Sequence, residues 1–263
     1  MHPIFWAAVG SGFTFLMTAF GASLVFFFRG EINKGVQRVF LGFAAGVMIA
    51  ASVWSLLIPA MEEAEAAGRN PLAPAAGGFV LGVLFLLLMD RLMPHLHLGE
   101  TKAEGLPSSF RRTTLLVLAV TLHNIPEGMA VGLSFALAAQ HADSPAALSA
   151  AAALALGMGI QNFPEGAAVS LPLRQEGMSA GKAFLLGSAS GVVELVFGVL
   201  VALAVGAVQP VMPWLLSFAA GAMMYVVVEE LVPEASLGEH SHPGTLGALS
   251  GFLVMMILDV ALG

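Results

Sequence analysis

From residue 3 to residue 28 the chain carries no charged side chain, and this pattern returns along the whole sequence. A helix needs about 20 mostly apolar residues to cross the hydrocarbon core of a bilayer. Residues 3–28, 39–61 and 71–89 each supply such a run without one formal charge. Residues 113–140 hold only His123 and Glu127, residues 144–173 only Glu165, and residues 183–228 only Glu194. Gln209-Pro210-Val211-Met212-Pro213 divides the last of these into two spans, and residues 243–258 begin a final one. The runs are solid rather than alternating, which excludes a membrane β-barrel. The sequence therefore predicts an all-α integral membrane protein of a single domain, 1–263, with eight helices near 3–28, 37–62, 71–93, 112–140, 144–173, 180–208, 211–234 and 243–262.

Composition agrees. Of the 263 residues 58% are hydrophobic and 10% charged, against about 25% charged in a soluble domain. That leaves too little polar surface for a cytosolic enzyme or a disordered scaffold. The net charge of −7 has the wrong sign for nucleic acid. With no cysteine, disulfides and thiolate metal sites are excluded.

Arg29, Lys34, Arg38, Arg91, Lys102, Arg111, Arg112, Arg174 and Lys182 all fall in loops or at helix ends on one side of the predicted spans, and only Arg69 lies opposite. The positive-inside rule then puts both termini outside a cell (inner) membrane crossed many times. Met1-His2-Pro3 lacks the basic start of a cleaved signal peptide.

Two segments repeat. Leu41-Gly42-Phe43-Ala44-Ala45-Gly46-Val47-Met48 returns as Leu216-Ser217-Phe218-Ala219-Ala220-Gly221-Ala222-Met223, with Leu57-Ile58-Pro59 matched by Leu231-Val232-Pro233. Spans two and seven run in opposite directions, so the likeness predicts an inverted repeat of the secondary-transporter kind. His123-Asn124-Ile125-Pro126-Glu127-Gly128 in span four likewise returns as Gln161-Asn162-Phe163-Pro164-Glu165-Gly166 in span five.

An ionisable group at the bilayer centre costs at least ~2.5–3.5 kcal/mol on insertion scales and marks a cavity or a partner. His123 and Glu127 are four apart and share a helix face, as do Gln161 and Glu165. Pro126 and Pro164 cannot donate to the carbonyls of Leu122 and Ile160. Each motif thus offers a carboxylate, an amide and a freed carbonyl at an expected kink, a combination suited to a cation. A merely kink-stabilising role leaves two buried glutamates unexplained. Imidazole with carboxylate favours zinc, iron or manganese over calcium or magnesium. Glu194 is the nearest further carboxylate, and Met48 offers a thioether. Three carboxylates offset three of the four charges of two divalent ions.

HNIPEG and QNFPEG on adjacent central spans, with a basic, His-bearing loop after the third span, resemble the ZIP family of divalent-metal transporters. The Gln that opens the second motif points to its bacterial GufA-like branch. The resemblance implies zinc-type uptake toward the cytoplasm by alternating access, with iron, manganese or cadmium as further substrates and no cofactor. It also implies a homodimer. Carried over by motif, the primary site comprises Met48, His123, Glu127, Gln161 and Glu165. A neighbouring site comprises Asn124, Glu127, Asn162, Glu165 and Glu194. Some relatives have Asp where Asn162 stands, so the second site here lacks one charge. Glu229 and Glu230, both expected to be buried, resemble family residues on the release path. His95, His97, Glu239, His240 and His242 lie on inner loops, where they could collect departing metal. Asp90 and Asp259 are expected at the membrane interface.

A metal-selective channel would use the same ligands. An intramembrane hydrolase would not: no H-E-x-x-H is present, and Gly187-Ser188-Ala189-Ser190-Gly191 has alanine where a nucleophile elbow needs serine. There is no ATP-binding P-loop.

Overall fold

A computed structural model describes residues 3–27, 33–94, 112–141, 144–175, 177–208, 211–236 and 242–262, and every regular element among them is helical. Eight helical passes follow the apolar runs. Helix α1 is Pro3–Ala22, closing in a 3-10 turn over Ser23–Phe26. Helix α2 starts as Lys34–Ala51, widens into a π-helical segment over Ser52–Leu57 and ends as Ile58–Ala66. Helices α3 (Leu72–Leu92), α4 (Arg112–Gln140) and α5 (Pro145–Gln175) follow. Helix α6 runs over Ala180–Ser190 and, past a break at Gly191, over Val192–Val208. Helix α7 is Met212–Val226, a π-helical segment Val227–Leu231 and a last turn Val232–Ser236, and α8 is His242–Leu262.

Among the described residues seven helices, α1 to α3 and α5 to α8, are both long and apolar enough to cross a membrane. Helix α4 has the length as well, at 29 residues. Asn33 and Ser179 cap α2 and α6, accepting from the backbone N–H of Gly35 at 2.8 Å and of Lys182 at 3.4 Å.

The helices associate in pairs. Helix α2 lies along α8, α3 along α7, α1 along α5, and α4 along α6. Lipid is as apolar as leucine, so helices in a bilayer gain by close backbone approach rather than by hiding apolar surface. Each pair shows this. A β-carbon at Gly46 would overlap the carbonyl of Ala248, one at Gly82 the carbonyl of Phe218, one at Gly166 that of Thr18, and one at Gly128 the backbone of Glu194. Opposite these seams, α3 exposes Val80, Leu81, Leu84 and Leu88, and α8 exposes Leu246, Leu249, Leu253 and Ile257. Such stripes are a liability in water and ordinary in lipid.

Gly82→Val should therefore destabilise the protein by more than the ~1–3 kcal/mol typical of an overpacked core, because backbone must move. Gly12→Ala, with no atom within 4 Å of the added carbon, should be nearly neutral. Thermal unfolding of the detergent-purified variants compares the two.

Candidate metal site

The two proline motifs lie inside continuous helices, Pro126 in α4 and Pro164 in α5. Because α4 and α5 pack together, residues 124–127 and 161–165 share one buried region, closed on its far side by α1 and α6. Asn124 and Asn162 are wholly buried, and Glu127 and Gln161 nearly so.

Amides connect the carboxylates. Gln161 Nε2 donates to Asn162 Oδ1 at 3.1 Å, and Asn162 Nδ2 donates to Glu194 Oε2 at 2.7 Å and to the Thr14 carbonyl at 3.3 Å. Thr18 Oγ1 donates to Glu194 Oε1 at 3.3 Å. Asn124 Nδ2 donates to the Ser190 carbonyl at 3.1 Å, next to the break in α6. The amide of Gln161 lies beside Glu127 and that of Asn124 beside Glu165, so each motif faces the other's glutamate. Glu165 is also close enough to feel the charges of Glu127, Glu194 and Glu230.

What these bonds leave over is informative. Asn124 Oδ1, Glu127 Oε2 and Glu165 Oε1 are buried acceptors without a hydrogen-bond partner. A buried acceptor left unmade costs ~1–3 kcal/mol, more when charged. All three come from the two motifs in one buried region, and a cation is the kind of group that satisfies such acceptors. Among the described residues no three His, Asp or Glu side chains by themselves converge closely enough to hold an ion. Amide oxygens or water must therefore enter any shell formed in this conformation.

The remaining residues singled out by sequence divide. His123 Nε2 contacts Glu230 Oε1 of α7, bringing that glutamate to the edge of the motif cluster. Glu229 does not follow it. It is exposed while Glu230 is buried, which corrects the expectation of two buried glutamates. Neighbours on a helix point about 100° apart, so only one of them can turn inward. Met48 is buried in the main apolar cluster, in the same class as its repeat counterpart Met223. His242 opens α8 and is exposed. His95, His97, Glu239 and His240 lie outside the described residues. The terminal aspartates are each tied to the neighbouring helix rather than simply interfacial. Ser55 Oγ donates to Asp259 Oδ1 at 2.7 Å, and Tyr225 Oη to Asp90 Oδ2 at 3.3 Å.

Sequence reasoning missed the contribution of α1. Ser11, Thr14 and Thr18 are fully buried, and Thr14 and Thr18 hold Asn162 and Glu194 through the bonds above. The signal was present: spacings of three and four put these hydroxyls on one face of an otherwise apolar helix.

A buried cluster of carboxylates and amides between helices apolar enough to cross a membrane is the chemistry of a multi-pass membrane protein that handles cations. Residues 100–259 match the family model described as "ZIP Zinc transporter". The chain is 39% identical to "Zinc transporter ZIP11" of Homo sapiens, over 99% of this chain and 98% of that one. It is 38% identical to "Zinc transporter GufA" of Myxococcus xanthus (89% and 90%) and 40% identical to "Zinc transporter ZIPB" of Bordetella bronchiseptica (98% and 82%). The chain belongs to the ZIP family of metal-ion transporters, which are not enzymes.

Proposed function

We propose that this protein carries divalent transition-metal ions, zinc foremost, across the inner membrane toward the cytoplasm by alternating access. Iron, manganese and cadmium share the ligand preferences and are further substrates. The ion is held by His123, Glu127, Gln161 and Glu165 with Met48, and a neighbouring position is formed by Asn124, Glu127, Asn162, Glu165 and Glu194. The observation that carries this reading is the set of three unpartnered buried acceptors contributed by the two motifs. Glu230, in contact with His123, gives the ion its next carboxylate on the way in. Nine of the ten Lys and Arg residues share the side on which it leaves.

Helix pairing supports the inverted repeat. Exchanging α1 with α6, α2 with α7, α3 with α8 and α4 with α5 turns the α2–α8 pair into α7–α3 and the α1–α5 pair into α6–α4, and all four are real pairs. Both copies of the repeat also run into a π-helical segment, Ser52–Leu57 in one and Val227–Leu231 in the other. Such segments are frequent at functional sites. One group, α2 with α8 and α3 with α7, then rocks or slides against the other, α1, α4, α5 and α6.

Purified protein in liposomes should take up zinc with saturation, and zinc on the far side should accelerate exchange. Linear flux without exchange stimulation would favour the channel. Imidazole and carboxylates must lose protons to coordinate. Zinc binding should therefore weaken as the pH falls from 7 toward 5. Calorimetry over that interval checks this, and a flat profile would remove His123 from the ligand set.

A further inference from the structure

Away from the motif cluster, a cavity of about 480 Å³ opens where α2, α4, α5 and α8 end together. It is lined by Glu62 and Glu63 of α2, Ser134 and His141 of α4 and its last turn, and Asp259 of α8. His141 Nε2 and Glu63 Oε1 lie 2.6 Å apart on its rim, with His141 about half exposed and Glu63 23% exposed. This pair bridges the two helix groups.

The interior of the cavity is under-satisfied. Ser134 and Asp259 are each only 8% exposed, yet Ser134 Oγ and Asp259 Oδ2 have no hydrogen-bond partner. Of the residues lining the cavity only His141 can carry a positive charge, against the carboxylates of Glu62, Glu63 and Asp259. Water could serve the hydroxyl, but water does not offset that negative charge. A dication does. A tetrahedral ion at zinc-like bond lengths keeps its ligand atoms about 3.4 Å apart. His141 and Glu63 need part by less than about 1 Å to admit one, and both are exposed enough to do so. The opening leaves room for the water that completes the shell, which accords with the absence of a preformed three-residue cage among the described residues.

We propose that His141 and Glu63 form a peripheral divalent-cation site at the mouth of this cavity, with Asp259 and Ser134 holding the ion's water shell. The proposal rests on the orientation given above only for the side it faces, which is the side of entry. Because its ligands come from both helix groups, an ion bound there replaces a direct hydrogen bond between them with a metal bridge.

The test uses the full chain in detergent with zinc alone as the probe. In a Glu127→Gln, Glu165→Gln background, calorimetry should still find one weak zinc ion, and adding His141→Ala should weaken that binding at least tenfold, whereas His141→Asp should largely restore it. In liposomes, His141→Ala on the otherwise natural chain should raise the zinc concentration for half-maximal uptake roughly fivefold. Zinc binding in the background variant that is absent, or the same with and without His141, would overturn the proposal. Failure of the central-site reading would show differently, as zinc uptake that survives Glu127→Gln with Glu165→Gln, and would leave the His141-dependent binding intact.

Discussion

Zinc uptake should fall to the level of empty liposomes in Glu165→Ala and in Glu127→Ala. Each variant removes one of the unpartnered buried acceptors on which the central site depends. In a medium of low dielectric a carboxylate's attraction for a dication far exceeds its value in water, and no described residue stands ready to replace it. We expect the rate to drop by more than about a hundredfold, equivalent to about 2.7 kcal/mol or more at the limiting step. His95→Ala combined with His97→Ala serves as the contrast and should retain most of the flux. An active Glu165→Ala with a dead loop variant would place the essential ligands on the loop instead.

The second large effect is expected at Asn162. Its amide donates to Glu194 at 2.7 Å and to the Thr14 carbonyl at 3.3 Å, so in the metal-free protein it neutralises locally what a carboxylate would repel. Asn162→Asp should therefore act in two directions. Without metal, two carboxylates meet across the former hydrogen bond, and the variant should unfold at a lower temperature. With zinc, the added charge should tighten the second ion at least tenfold, so that zinc raises the unfolding temperature more than in the natural protein. Turnover should be equal or lower, because an ion held more firmly leaves more slowly. Calorimetry and thermal unfolding, each with and without zinc, separate these effects. Two equally tight zinc ions in the natural protein would contradict the role given to Asn162.

The membrane-spanning character was legible because it depends on local properties. A run such as residues 3–28 has no soluble alternative, and its helical state follows from the need to satisfy every backbone group within the segment. The paired motifs were equally legible, since Asn, Pro and Glu at fixed spacing inside apolar runs state their own chemistry.

Contacts between helices were not. Nothing in the spacing relates His123 to Glu230, Asn162 to Glu194, or Glu63 to His141, because those distances depend on which glycine faces meet. Tertiary structure alone decided that Glu230 turns inward and Glu229 outward, the helix phase through the π-helical segment settling which neighbour is buried. It likewise decided that α1, apolar and charge-free in sequence, supplies the hydroxyls of Thr14 and Thr18 to the buried polar centre. Local chemistry named the candidate ligands. Packing chose their partners, because the free energy of a buried polar group depends on which atoms the fold brings within reach of it.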